Sequence, residues 1–158
     1  TEETDALKEA GFPARICPGI TAASAAAASA GMSLSLRGVA RDVRFVTAHS
    51  RRGAALDIDW ATLATSGSTL AFYMGRDAAP EITRGLLGAG MSAATPVLIA
   101  CNVSLPDEQQ LTTRLDLLGL ATSTLAADAP TLILVGEAVR QVGRGPLAAM
   151  SAATTIHE

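Results

Sequence analysis

The sequence predicts an α/β fold: a single three-layer domain with a mixed, mostly buried sheet flanked by helices. Three observations carry this. Short apolar runs at Val43–Thr47, Thr69–Met74, Pro96–Ala100 and Thr131–Val135 read as strands. Helical segments alternate with them, and that alternation builds a sheet covered on both faces. The composition, 49% hydrophobic and 17% charged over 158 residues, suits one domain with its own core and no metal or disulfide staple.

The elements follow in order. Thr4–Ala10 reads as a short helix with acidic residues in its first turn and Gly11 as its C-cap. Pro13 starts an extended run, Ala14–Cys17, broken by Pro18-Gly19. Thr21 is a good N-cap for a helix over Ala22–Ala30, closed by Gly31. Seven of those nine residues are alanine, the best helix former. With so little side-chain bulk the helix can pack very close to another backbone, or form the wall of a ligand site, and the two are compatible. Val43–Thr47 is β-branched and aromatic, hence a strand. Arg51–Asp59 is a polar loop, and Asp59 caps a short helix, Trp60–Ala64. Thr69–Met74 lies between Gly67 and Gly75 and reads as a buried strand. Asp77 is expected to cap a helix over Ala78–Ala89, with Pro80 tolerated in its first turn and Glu81 at its positive end. Ile82, Leu86 and Ala89 share a face there, and Gly90 closes the helix. Pro96–Ala100 is a buried strand, and Leu105-Pro106-Asp107 turns the chain. Glu108–Leu115 suits an exposed or edge strand, Asp116–Leu125 is partly helical, and Thr131–Val135 is the last strand. Glu137–Val142 is expected to continue it, and residues 143–158 form a loose tail.

Several function classes are disfavoured. The net charge of −3 argues against general affinity for nucleic acid or an anionic membrane. Cys17 and Cys101 lie far apart, and His49 and His157 do not cluster with them, so no metal site is expected. No P-loop and no GxGxxG follows a strand. Ile20–Ser35 is weakly polar but made of Ala, Ser and Gly, so a membrane span is not expected. The polar, acidic start does not read as a secretory signal, which leaves the cytoplasm as the default compartment. His49 is the best-placed histidine, and a loop position on the surface explains it. Scattered carboxylates are explained as helix caps.

Two places point to a ligand. Pro18-Gly19-Ile20-Thr21-Ala22 is a turn into a helix start, whose free N–H groups can meet a carboxylate or carbonyl. Tyr73-Met74-Gly75 ends a buried strand at its C-terminal edge, where open α/β sheets bind ligands. Met74 can be plain core, or its thioether can pack on a flat ring.

These stretches resemble a known family. Val43-Arg-Phe-Val-Thr-Ala-His49 is similar to the "VRFVTGH" segment of uroporphyrinogen-III C-methyltransferases, and Cys17–Ser24 to their "VPGITAAS" turn. Leu56–Trp60 and Leu70–Gly75 match "LDW" and "LVFYMG". Gly90-Met91 with Thr95-Pro96-Val97 matches "GM…TPV", and Leu132–Val139 resembles "LIIVGEVV". The resemblance is collinear from about residue 2 to residue 140, and Leu34–Arg41 is most like the methyltransferase module of siroheme synthases.

The resemblance implies two α/β lobes with S-adenosylmethionine in the cleft between them and a tetrapyrrole, uroporphyrinogen III, across it. Residues 1–142 correspond to the C-terminal lobe. The N-terminal lobe, with the expected catalytic base, is absent from these residues. Thr21 and Ala22 match the family's Thr-Ala pair at the cofactor, Met74 the methionine that packs on it, and Thr131 a position near the adenine. Asn102-Val103 stands where the family has Asn-Gly, and Val103 approaches the cofactor through its backbone. The implied reaction is methyl transfer on the way to siroheme or cobalamin, in a homodimer, without a metal.

There are departures. Cys101-Asn102-Val103-Ser104 replaces Glu-Asn-Gly-Thr, and Leu36 replaces a histidine before Arg37. The β-branched Val103 restricts the backbone where glycine would not. Arg37 and Arg41, with Arg51 and Arg52, are candidates to pair with the tetrapyrrole carboxylates, or are solvated surface charges. Competing readings are another tetrapyrrole methylase, a non-catalytic binding or dimerisation module, and a protein- or RNA-directed methylase, the RNA version being disfavoured by the acidic charge.

Overall fold

A computed structural model describes residues 2–49, 55–65, 67–125 and 128–143. Five strands form one sheet: β1 (Asp42–Thr47), β2 (Ser68–Tyr73), β3 (Pro96–Cys101), β4 (Gln109–Arg114) and β5 (Thr131–Val135), in the order β1-β2-β5-β3-β4. β1 and β2 are parallel, and every other pair is antiparallel. The sheet is therefore mixed, with β1, β2 and β3 running one way and β4 and β5 the other. The three inner strands are the apolar runs and are almost wholly buried, while β1 and β4 are half-exposed edges.

Alternation along the strands divides the core in two. Leu70, Phe72, Val97, Ile99, Ile133 and Val135 face the larger helical layer. That layer holds α3 (Trp60–Leu63), α4 (Ala79–Gly88) and α5 (Leu118–Ser123). α4 presents Ala79, Ile82 and Leu86 to the sheet, a stripe at helical spacing. Gly85 stands mid-helix because the Trp60 indole lies against it, and an added Cβ would come within 2.3 Å of that ring.

The opposite face carries Ala71, Leu98, Ala100, Leu132 and Leu134 beneath α2 (Ala22–Ser29). Here small packs on small: Ala23, Ala26 and Ala27 of α2 are buried among the sheet's own alanines. A short helix α1 (Glu2–Glu9) precedes these elements and buries no residue. Gly31 and Gly90 end α2 and α4 in left-handed conformations, as expected of C-terminal glycines.

Four expectations need correction. Ala14–Cys17 joins no strand, with Ala14 half-buried and Arg15, Ile16 and Cys17 exposed. β2 stops at Tyr73 because Met74 turns left-handed, at φ 54°. Asp77 does not cap α4, whose N-cap is Ala78 without a side-chain bond. Glu137–Val142 does not prolong β5: Gly136 breaks the strand, and Glu137–Gln141 is a 3-10 helix. Residues 144–158, most of the expected tail, lie outside the described residues, as do Arg51 and Arg52.

Two stability predictions arise here. Thr69 on β2 is fully buried, and its hydroxyl has no hydrogen-bond partner among the described residues. Thr69→Val replaces that hydroxyl with a methyl of the same shape and should stabilise the protein by about 1 kcal/mol. Equilibrium urea unfolding checks this, and an unchanged or lower midpoint refutes it. Asp59 caps α3 by accepting from the Thr62 hydroxyl (2.6 Å) and N–H (3.1 Å), bonds that hold its carboxyl below the usual carboxylate range. A lowered folded pKa means stabilisation that is complete above the ordinary value and lost as pH falls through the lowered one. Thr62 amide exchange, normalised to α4, should therefore rise only in that acid window.

Candidate functional site

A cleft of about 630 Å³ opens where β2 and β3 end and β5 begins. Because β5 runs antiparallel between those two strands, Tyr73-Met74, Asn102-Val103 and Pro130-Thr131 meet although far apart in sequence. The start of α2 supplies Ala22, and His49 follows β1 into the same wall. The volume lies within the roughly 300–1,000 Å³ of small-molecule sites.

Both strands that end at the cleft, β2 and β3, leave the sheet through non-glycine residues in the left-handed region. Met74 has φ 54°, Asn102 has φ 52°, and Ser104 follows at φ 68°. Asparagine tolerates this conformation, whereas methionine is held in it by its surroundings. The turn at Met74 leaves its side chain 58% exposed at the cleft. Val103, between the two left-handed residues, is itself not at positive φ. A β-branched residue fits there, so glycine's freedom is not required at that position.

The wall beyond β3 is tied down by hydrogen bonds. Asn102 donates its N–H to the Pro130 carbonyl (3.0 Å) and its Nδ2 to Asp107 (2.7 Å), and its carbonyl accepts from Leu105 (2.9 Å). The Thr131 hydroxyl donates to the Ala129 carbonyl (2.8 Å), and Cys101 Sγ lies 3.3 Å from Thr131 Oγ1. With its one proton committed to Ala129, Thr131 can only accept from Cys101, so the thiol is the donor. The threonine is thereby oriented from within the protein.

The helix start is more closed than expected. Thr21 Oγ1 accepts the Ser24 N–H (3.1 Å), and the Tyr73 hydroxyl accepts the Ala23 N–H (3.1 Å). The Ala22 N–H has no partner among the described residues, leaving it as the donor available at that wall. Tyr73 thus ties α2 to the end of β2, with its ring 6.1 Å from that of Phe45. On the far side Arg76 donates to the carbonyls of Leu125 (2.7 Å) and Thr122 (3.4 Å), at the negative end of α5. Asp77 and Asp128 line the cleft beside it.

Of the residues singled out from sequence, Ala22, Met74, Val103 and Thr131 line this one cleft, and Thr21 borders it as the cap of α2. Arg37 and Arg41 do not. Arg37 is exposed in the loop closed by the Leu36–Ala40 bridge, and the Arg41 N–H binds the Gly67 carbonyl just ahead of β2. Both lie towards the start of β1 and β2, at the opposite edge of the sheet. His49, explained above as a loop residue, is exposed and also lines the cleft. Arg76 and Asp128 were missed. Each stands within three residues of a motif residue, Met74 or Thr131, and that adjacency was the available signal.

Comparison with known proteins identifies the fold and the family. The sequence profile of the tetrapyrrole (corrin/porphyrin) methylases matches residues 1–118. The uroporphyrinogen-III C-methyltransferase of Paracoccus denitrificans is 46% identical over 136 residues, covering 86% of this chain and 47% of that protein. The siroheme synthase of Gluconacetobacter diazotrophicus is 42% identical over 140 residues, 88% of this chain and 30% of that protein. The chain thus spans about half, or less, of the length of these relatives. Among solved structures, a cobalt precorrin-4 methyltransferase superposes with TM-score 0.77 at 28% identity, covering 87% of this chain and 58% of that one. The uroporphyrin-III C-methyltransferase of Thermus thermophilus, complexed with S-adenosylhomocysteine, superposes with TM-score 0.69 at 29% identity, covering 88% and 59%. By the profile match, the sequence identities and the shared fold, the chain belongs to the tetrapyrrole methylase family.

Proposed function

We propose that this chain supplies the C-terminal half of an S-adenosylmethionine cleft in an enzyme that C-methylates uroporphyrinogen III to precorrin-2. Residues 1–142 are then the C-terminal lobe of a two-lobed protein. The observation that carries this is the meeting of Ala22, Met74, Val103 and Thr131 in one cleft. The residues present fit the group. A thioether can lie on a flat purine, the Ala22 N–H can donate to a ligand oxygen, and the wall offers few formal charges.

When bound, the donor supplies an electrophilic methyl on a cationic sulfur. This chain's part is alignment: Met74, Val103 and Thr131 hold one side of the donor so that its methyl faces the substrate carbon. Arg37 and Arg41, at the opposite end of the strands, lie too far from the cleft to share its substrate and are read as surface charges. The exposure of Met74, and of Phe12, Ile16 and Ile20, fits a half-site covered by another lobe or subunit. The lobe alone is accordingly expected to bind without turning over, and the full enzyme to be a cytoplasmic homodimer. No described helix is long and apolar enough to cross a membrane.

Calorimetric titration with S-adenosylhomocysteine is expected to give micromolar binding. No binding at millimolar ligand, either by this chain or by a fusion restoring a preceding lobe from the Paracoccus relative, would overturn the proposal.

A further inference from the structure

Glu108 was not singled out from the sequence beyond its place at the start of an edge strand. It stands just ahead of β4, and its carboxylate is a junction. Oε2 accepts the Ser104 N–H at 2.7 Å, and Oε1 accepts from Gln110 Nε2 at 2.7 Å. The Ser29 hydroxyl at the end of α2, and then the Ser104 N–H, hold this carboxyl below the usual carboxylate range. Ser104 is the second left-handed residue of the turn after β3, and the turn carries Val103 and Leu105, both in the cleft wall.

We infer that Glu108 is a positioning residue, holding the β3–β4 turn in the strained shape that sets the Val103–Leu105 wall of the cleft. The inference rests on the cofactor proposal above. A serine at φ 68° relaxes towards a commoner conformation unless something holds it. A charge-assisted bond from carboxylate to backbone N–H is strong enough to do so. Gln110 on β4 takes the other carboxylate oxygen, so Glu108 ties the turn to the start of the edge strand. The turn itself is exposed, with Ser104, Leu105 and Pro106 all open to solvent, so its release changes its shape rather than unfolding the domain.

The test uses the whole chain. In Glu108→Ala, the Ser104 amide should exchange about tenfold faster, and S-adenosylhomocysteine should bind about tenfold more weakly, with Tm nearly unchanged. Glu108→Gln keeps one acceptor for the Ser104 N–H and should fall between. The distinguishing arm is Ser104→Gly in the Glu108→Ala background. Glycine adopts the left-handed turn without strain, so it should restore most of the affinity. Unchanged Ser104 exchange in Glu108→Ala, or failure of glycine at 104 to restore binding, would overturn the inference. Absence of binding by the unsubstituted chain would count against the cofactor proposal instead, and Ser104 exchange would still decide whether Glu108 holds the turn.

Discussion

Replacing Gly136 with alanine is expected to destabilise the protein by roughly 3–5 kcal/mol, a large part of the stability of a domain this size. Two effects add. Gly136 has φ 142° and ψ 169°, a region essentially reserved for glycine. A Cβ there would stand 2.8 Å from the Ser68 carbonyl oxygen, which is backbone and cannot swing aside. The Gly136 N–H also bonds the Pro96 carbonyl at 3.0 Å, so the residue is pinned between the starts of β2 and β3. Relief of the clash must therefore separate strands. Urea unfolding measures the loss, and a fall below about 1 kcal/mol would show that the end of β5 yields more easily than its bonds imply.

Met74→Gly should separate folding from binding. Glycine relieves the left-handed strain but adds unfolded-state freedom, and Met74 buries little surface, so stability should stay within about 0.5 kcal/mol. Binding of S-adenosylhomocysteine should weaken roughly tenfold, because the thioether and its apolar contact with the ligand are gone. Met74→Leu keeps the bulk but not the sulfur, and should lose less. Calorimetry paired with thermal unfolding reads both quantities. If stability and affinity fall together in Met74→Gly, the side chain belongs to the core and not to the site.

The inner strands were legible because each is an apolar run closed by glycine, proline or a polar turn, and tertiary packing reinforces that local signal. Met74 and Glu137–Val142 were misjudged for one shared reason. Each continues a strand-like pattern, but the backbone turns at a dihedral angle that side-chain polarity does not report. At Asp77, a strong capping residue stands near a helix start, yet Pro80 is the second helical residue of a helix that begins at Ala79. In the cleft, residues within the family motifs were legible one by one. Arg76, Asp128 and Glu108 were not: Arg76 acts on the carbonyls of Thr122 and Leu125, far along the chain, Asp128 reaches the cleft through the place of β5 in the sheet, and Glu108 acts on an N–H presented by a left-handed turn.

That strand order has a consequence for how the chain is made. Of the sheet's five described strands β5 is the last to leave the ribosome, yet it occupies the middle of the sheet. Until Thr131–Val135 has emerged, β1 with β2 and β3 with β4 are two separate ribbons, each with an apolar, unpaired edge. Insertion of the last strand closes both edges at once, through contacts distant in sequence, so folding is expected to be late, cooperative and slow. A nascent chain stalled before residue 131 presents two sticky margins, and it is this half-built state that would most need a chaperone.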